Sequence, residues 1–574
     1  MKPRKGFMTR KRQKRLPDQG AERAADAELK GKQNMNVWQA KSEQFLRDCE
    51  HATAISHENL QQIMEDNKDT WYGRKYHFDQ VQNPDDFQSL VPISEYADYE
   101  EAIERMIQGE KDLITTYDIK HYVMTSGSTG KQKRIPLTKE ALRRCIDPIY
   151  YAAYACAPGI EKGRVLHMSV FRMNLPEEEE YTILSAAYFR ELHDRGTFGL
   201  AERYLGGEEL LFSREIQEVP YVKLWIAFSY PDMAGIQAFF LYDILLFLRY
   251  LEDNWESVLD DVYRRRIPEA LHLSEKIRTA MKKLPVLEER WYQKIRKECA
   301  RGFEGIVERL WGEMGYVSGV GGSTFTAQEG MLRFYLGNIP IHYFTYAASE
   351  CMMAVTTKME SKENILMPKS GFFEFLPYNK EEKERPRRIE ELEVGGHYEL
   401  LVTNFSGLYR YRLNDVVKVT GYCGQAPVVE ICFRKNQAIN IAGEKMDLKT
   451  VNEAVNLLAQ SCKLHICEYS VYDDKTLLPG RYECFLETDD RKKAVCFAKN
   501  SGLDSLFDDI LKKMNEDYLD LRNLGLIGMP SVCQVPAGTH LECKQQFMQR
   551  PGNNKPLQYL SSPDIIRFMK ERIL

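Results

Sequence analysis

The spacing of apolar residues changes along the chain, and the change marks two kinds of structure. Between Val37 and Asn67, apolar side chains recur at helical intervals, which predicts helices. Further long helical patterns extend over about 232–316. From Tyr316 onward the pattern shortens to β-like runs separated by charged loops. These runs are Ile339–Thr345, Gly371–Leu376, Tyr398–Thr403, Tyr409–Leu413, Val416–Val419 and Val428–Phe433.

After residue 434 the pattern becomes mixed again, which predicts a second, smaller domain. Its elements are β-like runs and amphipathic helices, at Ile466–Tyr472, Tyr482–Glu487, Leu448–Gln460 and Leu503–Leu519. We therefore place the domain boundary near 434–440, with a large domain over 35–434 and a C-terminal domain over 435–574. The fold class that follows is mixed α/β.

The most apolar window, Ile236–Leu251, predicts a buried core helix. Asp243 interrupts the window. Its uninterrupted apolar runs fall far short of the ~20 residues that a membrane span requires. A membrane-spanning class is therefore disfavoured.

Composition and charge narrow the class further. Of the 574 residues 43% are apolar, and the net charge of −5 creates no field that favours nucleic acid or an anionic membrane. The 13 cysteines form no Cys-x-x-Cys pair, which fits a reducing, cytoplasmic compartment. Residues 1–15 are rich in Lys and Arg and contain no acid, which predicts a disordered basic tail over 1–34.

A loop rich in glycine and hydroxyl groups lies between two β-like runs, His121–Thr125 and Ile135–Leu137. Its sequence, SGSTGKQK over Ser126–Lys133, combines residues that allow close backbone approach with hydroxyl donors and a cation. Such a loop can bind phosphate, and a plain surface turn is the alternative that these residues leave open. It is not a Walker A loop, because the spacing differs and a β-like run rather than a helix follows.

Further strings in the second half of the chain carry a family resemblance. They are YAASE (Tyr346–Glu350), FFEFLP (Phe372–Pro377), TNFSGLYRYR (Thr403–Arg412), YRYRLND (Tyr409–Asp415) and Arg434-Lys435-Asn436 followed by Lys445. In this order, and together with the loop, they resemble the GH3 family of acyl acid amido synthetases over roughly 37–560. That family belongs to the adenylate-forming superfamily.

The resemblance implies a fold and a set of site residues. The implied fold is a large N-terminal domain of β-sheets, a β-barrel and helices, with a small mobile C-terminal domain and the active site between them. The implied ATP-binding residues are Ser126, Gly127, Ser128, Thr129, Tyr346, Ser349, Asp415 and Arg434.

For two of these residues, and for Glu350 as the implied metal ligand, the side-chain chemistry supports the implied role. Tyr346 would stack on adenine, and Asp415 would accept hydrogen bonds from the ribose hydroxyls. Glu350 would hold Mg²⁺, which prefers hard oxygen ligands. Without the resemblance, these residues could equally be a core tyrosine, a turn aspartate and a surface glutamate.

Two lysines of the C-terminal domain complete the implied catalytic set with Glu350. Lys445 matches a lysine of the rotating domain, although a solvated lysine is the alternative. The family also carries a phosphate-contacting lysine near its C-terminus, usually as Lys-x-Pro-Arg. The nearest match, GNNKPL, has Lys555 directly before proline and lacks the arginine. We expect Lys555 in this role, with Lys544 as the alternative.

The resemblance predicts a two-step ligase reaction that depends on ATP and Mg²⁺. A carboxylic acid is activated as an acyl-adenylate, and an amine acceptor, usually an amino acid, then takes the acyl group to give an amide. Two alternatives remain open, namely thioester formation with coenzyme A and a nucleotide-binding scaffold without turnover. The expected partners are small molecules, with no nucleic acid and no membrane.

Overall fold

Helices begin the described part of the chain, at 37–50 and Ala52–Asn67, where the apolar spacing predicts them. Trp38, Phe45 and Leu60 are buried on the core side of these helices. The computed structural model describes residues 37–124, 133–154, 164–168, 181–182, 187, 204–211, 218–321, 326–378, 385–435, 439, 441, 444, 446–477, 479–488, 502–523, 527–547 and 556–574. The predicted tail over 1–34 lies outside these residues.

A parallel four-stranded sheet forms one layer of the N-terminal part, in the order β3-β5-β6-β7. Its strands are β3 (Val165–His167), β5 (Gly235–Phe240), β6 (Tyr316–Val320) and β7 (Ile341–His342). Alternate residues face two separate apolar clusters, since Val165 and Tyr316 belong to one and Leu166 and Val317 to the other. Both faces of this sheet are therefore buried, as is usual for parallel sheets.

The prediction of one core helix over Ile236–Leu251 is wrong in its first part. The segment begins as strand β5 and becomes the helix Leu241–Tyr263 only afterwards. A strand that is buried on both faces is apolar throughout, so its pattern cannot be told from that of a buried helix. None of the described helices combines the length and the apolar character that crossing a membrane requires.

Other helices surround these layers and close the N-terminal part. They are Trp71–Lys75, Pro84–Leu90, Glu100–Ile107, Lys139–Arg144, Ile146–Tyr154, Gly207–Leu211, Val219–Ser229, Glu275–Lys282, Glu289–Ala300, Ile306–Leu310 and Thr326–Leu336. Several begin at the side-chain caps that the sequence supplies. Thr138, for example, accepts a hydrogen bond from the backbone N–H of Ala141, the usual contact of an N-cap threonine.

Most of the predicted β-like runs of the central region lie in a seven-stranded sheet in the order β11-β12-β13-β14-β10-β9-β8. The predicted run Ile339–Thr345 is instead divided between β7 of the parallel sheet and the start of β8. Its strands are β8 (Thr345–Ala347), β9 (Met352–Thr356), β10 (Glu363–Leu366), β11 (Gly371–Pro377), β12 (His397–Asn404), β13 (Tyr411–Cys423) and β14 (Ala426–Arg434). Two runs that the sequence separates, Tyr409–Leu413 and Val416–Val419, belong to the single strand β13. Asn414 lies between them with a left-handed φ of 62°, which explains the break in the pattern.

This sheet is strongly curled. Strand β8 is four strand spacings from β13, which would separate them by roughly 19 Å in a flat sheet. The side chain of Tyr346 on β8 nevertheless reaches Asp415 on β13. The curl therefore brings the edge strand β8 close to β13.

A hairpin brackets the glycine-rich loop. Strand β1 (Ile119–Met124) pairs antiparallel with β2 (Arg134–Thr138), and β1 also pairs with the short strand β4 (Tyr181–Thr182). The register places Met124 opposite Arg134, so the intervening loop connects two adjacent strand ends. Residues 125–132 of that loop lie outside the described part of the chain.

The C-terminal part has the mixed elements that the sequence predicts. Its sheet has the order β15-β16-β17, formed by β15 (Ile466–Asp474), β16 (Arg481–Thr488) and β17 (Ser531–Val535). The accompanying helices are Leu448–Cys462, Leu503–Met514, Glu516–Asn523, Thr539–Phe547 and Pro563–Lys570. Two apolar clusters of its own lie within this part, which fits a separately packed unit.

Candidate functional site

The carboxylate of Asp415 is held between a tyrosine and an arginine. Tyr346 Oη donates to Asp415 Oδ2 at 2.8 Å, and Arg434 Nε lies 2.9 Å from Asp415 Oδ1. The Asp415 side chain is 11% exposed, whereas that of Arg434 is 38% exposed and borders solvent. The carboxylate is thus fixed on both oxygens at the edge of the protein interior.

Strand register explains why these groups meet. Asp415 on β13 is the direct partner of Arg434 on β14, so their side chains start from neighbouring backbone positions. Arg434 Nη2 also donates to the carbonyl of Leu413 at 3.2 Å. The guanidinium is therefore oriented by two contacts on the same strand.

Glu350 occupies a tight turn between β8 and β9. Ala348 and Cys351 exchange backbone hydrogen bonds of 2.9 and 3.2 Å across the turn. Asn404 Nδ2 donates to the Glu350 carbonyl at 2.8 Å, and Tyr411 Oη donates to Glu350 Oε1 at 3.1 Å. The glutamate is 9% exposed and is held through both its backbone and its side chain.

The base of the glycine-rich loop reaches this glutamate through one tyrosine. Lys133, the first described residue after the loop, donates from Nζ to Tyr411 Oη at 3.3 Å. Its ammonium also lies 5.5 Å from the ring centroid of Tyr96, within cation–π range. Because Tyr411 in turn contacts Glu350, the end of the loop and the carboxylate belong to one connected cluster.

Burial and charge fix the ionisation of the donors in this cluster. Burial raises the pKa of Tyr346 well above 10, and the neighbouring Asp415 carboxylate raises it further. Burial and Glu350 likewise raise the pKa of Tyr411. Asp415 raises the pKa of Arg434, so this side chain stays cationic. Both tyrosines therefore act as neutral hydrogen-bond donors to carboxylates at neutral pH.

The arrangement can bind a polar ligand that carries hydroxyl groups and negative charge. A carboxylate has about four lone-pair positions. On Asp415, Tyr346 contacts one oxygen and Arg434 the other, and a carboxylate is a strong acceptor for hydroxyl donors. Arg434 and Lys133 supply positive charge on two sides. The cluster thus combines acceptors and cations, as recognition of a nucleotide requires.

The donor set near Glu350 also fits a magnesium ion. Mg²⁺ usually binds through one or two carboxylates together with substrate phosphates and water. Glu350 is a carboxylate that is 9% exposed and could supply one such ligand. Among the described residues, no group of three or more His, Cys, Asp or Glu is arranged as a self-sufficient metal site.

The structure brings together five of the predicted residues, namely Tyr346, Ser349, Glu350, Asp415 and Arg434. Ser349 is half-buried and directly precedes Glu350 in the turn. The other predicted residues lie outside the described part of the chain: Ser126, Gly127, Ser128, Thr129, Lys445 and Lys555. Their assignments stay predictions.

Lys544, the alternative to Lys555, lies in an ion pair with Glu468. Its side chain is 8% exposed and its Nζ lies 2.5 Å from Glu468 Oε1 within the C-terminal part. Tyr242 Oη is a further neighbour of the ammonium at 3.3 Å. In this arrangement Lys544 is committed to a buried ion pair, which disfavours it as a phosphate-contacting lysine.

Sequence reasoning missed Tyr411, Lys133 and Asn404. All three lie within strings that it had singled out, yet only the neighbouring residues were given roles. Tyr411 is four residues before Asp415 in the same strand, and Lys133 ends the glycine-rich loop. Their contribution depends on contacts between distant segments, which a linear motif does not contain.

Solved structures share this fold. AtGH3.15 acyl acid amido synthetase, in complex with 2,4-DB, superposes with a TM-score of 0.80 at 22% identity, covering 94% of this chain and 96% of that one. A 2-hydroxyisobutyryl-CoA ligase in complex with 2-HIB-AMP superposes with a TM-score of 0.55 at 12% identity, covering 90% and 91%. The fold is therefore that of the adenylate-forming enzymes, as the sequence predicts.

Family comparisons identify the chain more closely. The GH3 family N-terminal domain matches residues 41–341, the central domain matches 364–434, and the C-terminal domain matches 449–558. These matches cover most of the sequence, and the chain belongs to the GH3 family. The predicted family is confirmed.

Curated relatives are distant in sequence but similar in length. Jasmonoyl–L-amino acid synthetase GH3.5 of Oryza sativa subsp. japonica is 25% identical over 565 residues, which covers 90% of this chain and 95% of the relative. Indole-3-acetic acid-amido synthetase GH3.17 of Arabidopsis thaliana is 26% identical over 482 residues, covering 76% and 78%.

Proposed function

We propose that this protein uses ATP to activate a carboxylic acid as an acyl-adenylate and then transfers the acyl group to an amine. The observation that carries this proposal is the Asp415 carboxylate, fixed by Tyr346 and Arg434 beside Glu350 and the base of the glycine-rich loop. Membership in the GH3 family supports it, because the named relatives are amido or amino acid synthetases.

In the first step, a carboxylate oxygen of the acid forms a bond to the α-phosphorus of ATP, and pyrophosphate leaves with the electrons of the broken bond. The protein contributes mainly by positioning the reactants and offsetting charge. Asp415 would accept hydrogen bonds from the ribose, and the Tyr346 ring would lie against adenine. Arg434 would face negative charge that develops on the nucleotide.

Glu350 is the residue that we propose for Mg²⁺. When bound, the ion offsets negative charge on phosphate oxygens. The turn between β8 and β9 holds the glutamate, and Tyr411 orients one of its oxygens. Lys133, whose ammonium lies beside Tyr411, adds a positive charge near the loop.

In the second step, an amine nitrogen forms a bond to the carbonyl carbon of the acyl-adenylate, the bond from that carbon to the phosphate oxygen breaks so that AMP leaves, and the nitrogen releases a proton to solvent. An amine acceptor is favoured over coenzyme A by the names of the curated relatives. Reactions that contain both amino acids and coenzyme A should yield the amide, detected by mass spectrometry. An exclusively thioester product would replace this second step by that of an acyl-CoA synthetase.

We also propose a cytoplasmic location, from the unpatterned cysteines.

The chemical step predicts ATP–pyrophosphate exchange that depends on a carboxylic acid and on Mg²⁺. A panel of small carboxylic acids, assayed with labelled pyrophosphate, should contain at least one that raises label incorporation above the acid-free rate. Reversal of adenylation returns labelled pyrophosphate to ATP, whereas a kinase-type reaction would release ADP. Acid-dependent ADP formation, without exchange, would contradict the proposal.

The magnesium role predicts a selective effect of Glu350→Gln. The amide keeps the size of the side chain and its acceptor for Tyr411 but loses the negative charge. We expect the Mg²⁺ concentration for half-maximal exchange to rise about tenfold or more, because a carboxylate–cation contact near a protein surface is worth more than about 1.4 kcal/mol. The measurement is a Mg²⁺ titration of the exchange rate.

Glu430→Gln is a matched control for this variant, since it neutralises a carboxylate on β14, a different strand of the same sheet. It should leave the Mg²⁺ dependence unchanged. Equal Mg²⁺ titration curves for Glu350→Gln and the unaltered protein would remove Glu350 from this role.

A further inference from the structure

One face of the long helix Leu241–Tyr263 contacts the C-terminal part of the chain. Tyr242 and Arg249 are seven residues apart and so lie on the same side of the helix. Tyr242 Oη donates to Glu468 Oε2 at 2.5 Å, and Arg249 Nη2 donates to the carbonyl of Cys467 at 3.2 Å. Tyr242 and Arg249 lie within the GH3 N-terminal domain, whereas Cys467 and Glu468 lie within the GH3 C-terminal domain.

Glu468 is the centre of this contact. Besides Tyr242, it accepts from Lys544 Nζ at 2.5 Å and from the backbone N–H of Leu557 at 3.4 Å. The cluster is almost fully shielded from solvent, with exposures of 2% for Tyr242, 4% for Glu468 and 8% for Lys544. Leu557 is only two residues beyond Lys555, which links the cluster to the segment of the expected adenylation lysine.

The C-terminal side of the contact is rigidly supported. Glu468 on β15 is the direct partner of Glu487 on β16. Glu487 Oε2 lies 2.9 Å from His540 Nδ1, and His540 Nε2 lies 3.0 Å from Ser470 Oγ. His540 and Lys544 are one turn apart on the helix Thr539–Phe547, and each faces one of the two carboxylates.

The charges of the cluster are balanced within the C-terminal domain alone. Burial by itself would raise the pKa of Glu468, but Lys544 and His540 lower it to about 2, so the carboxylate stays ionised. Lys544 and Glu468 both belong to the C-terminal domain and can move as a neutral pair. Separation of the domains therefore breaks the hydrogen bonds from Tyr242 and Arg249 but leaves Glu468 paired with Lys544, which keeps the cost of release low.

We propose that Tyr242, Glu468 and Lys544 form a latch that holds the C-terminal domain in one of the two orientations used by the proposed two-step reaction. Tyr242 is a positioning residue, because it acts through Glu468 and contacts no reacting atom. The latch rests on the proposed function, since two half-reactions at one site require two orientations of the domain. Loss of the Tyr242 hydroxyl should lower the population of the latched orientation while leaving each domain intact.

The test compares Tyr242→Phe with Tyr221→Phe. Both changes remove one buried hydroxyl that donates to a carboxylate, but Tyr221 donates at 3.1 Å to Asp261 within the N-terminal domain. For each protein, acyl-adenylate formation and amide formation from supplied acyl-adenylate are measured separately. We expect the ratio of the two rates to change by about tenfold in Tyr242→Phe, the effect of one hydrogen bond to a charged group, and to stay constant in Tyr221→Phe.

Hydrogen–deuterium exchange provides a readout that does not depend on activity. Peptides from the start of the helix Leu241–Tyr263 and from β15 should exchange faster in Tyr242→Phe than in Tyr221→Phe. An unchanged rate ratio together with unchanged exchange would overturn the latch. If the unaltered protein catalyses no pyrophosphate exchange, the proposed function fails, and hydrogen exchange at the contact still decides whether Tyr242 holds the domains together.

Discussion

Replacing Arg410 by methionine is expected to lower the free energy of unfolding by about 3–5 kcal/mol, the typical cost of leaving one partner of a buried ion pair alone. Arg410 Nε lies 3.0 Å from Glu374 Oε2, and the two side chains are 5% and 1% exposed. Arg410 Nη1 donates to the carbonyls of Gln88 and Val91 at 2.9 and 2.6 Å. The change would strand Glu374 and two acceptors in the interior.

Two further variants make this expectation specific to the buried pair. Arg410→Met combined with Glu374→Met removes both charges, and we expect it to be more stable than Arg410→Met alone. Asp118→Asn breaks the exposed ion pair with Lys139, in which the Lys139 side chain is 67% exposed and that of Asp118 is 79% exposed. This change should lower the free energy of unfolding by less than about 1 kcal/mol. Urea unfolding curves provide the comparison. A loss below about 1 kcal/mol for Arg410→Met would contradict the importance of the pair.

Arg410 also matters for the position of the site. It directly precedes Tyr411, which contacts Glu350, and its backbone φ of 48° places it in the left-handed region. Its N–H donates to Thr403 Oγ1 at 2.9 Å. The buried arginine thus fixes the start of β13 against β11, which carries the FFEFLP string, and against the end of β12, where the TNFSGLYRYR string begins.

Local patterns were sufficient to predict most strands of the central sheet and the first elements of the C-terminal part. They did not predict β17 or the last two helices, and the helix expected over Leu503–Leu519 is divided at Asn515 into two helices. The β-like run Gly371–Leu376 corresponds to β11, and Ile466–Tyr472 lies within β15. The fold class is confirmed by the same comparisons that confirm the family. Strand β5 was missed because burial on both faces erases the alternation by which a strand is recognised.

The geometry of the site was not accessible in the same way. Ordered strings indicated Tyr346, Glu350, Asp415 and Arg434 as a set, but their roles toward ATP and Mg²⁺ stay predictions. The contact between Tyr346 and Asp415 depends on the curl of the seven-stranded sheet, which brings together residues 69 positions apart. Curl arises from strand twist accumulated over the whole sheet, so no single segment encodes it.

Removal of the Asp415 carboxylate is expected to have a large effect on ATP affinity. Asp415→Ala is expected to weaken ATP binding by about 1.5–3 kcal/mol, because hydrogen bonds to a charged group are worth that much. The change removes the acceptor proposed for the ribose and also removes the contacts that Tyr346 and Arg434 make with this carboxylate. Isothermal titration with ATP should therefore show a Kd raised by roughly tenfold to 150-fold.

Two further variants distinguish the role of the Asp415 carboxylate as an acceptor from the role of Tyr346, which donates a hydrogen bond to it. Asp415→Asn keeps one oxygen acceptor and should fall between the unaltered protein and Asp415→Ala. Tyr346→Phe keeps the carboxylate and the aromatic ring, loses only one hydrogen bond to Asp415, and should weaken ATP binding less than Asp415→Ala does. Thermal unfolding of each variant checks that the fold persists. An ATP Kd for folded Asp415→Ala equal to that of the unaltered protein would exclude the ribose role, because a ligand held by this carboxylate must lose affinity when the carboxylate is removed.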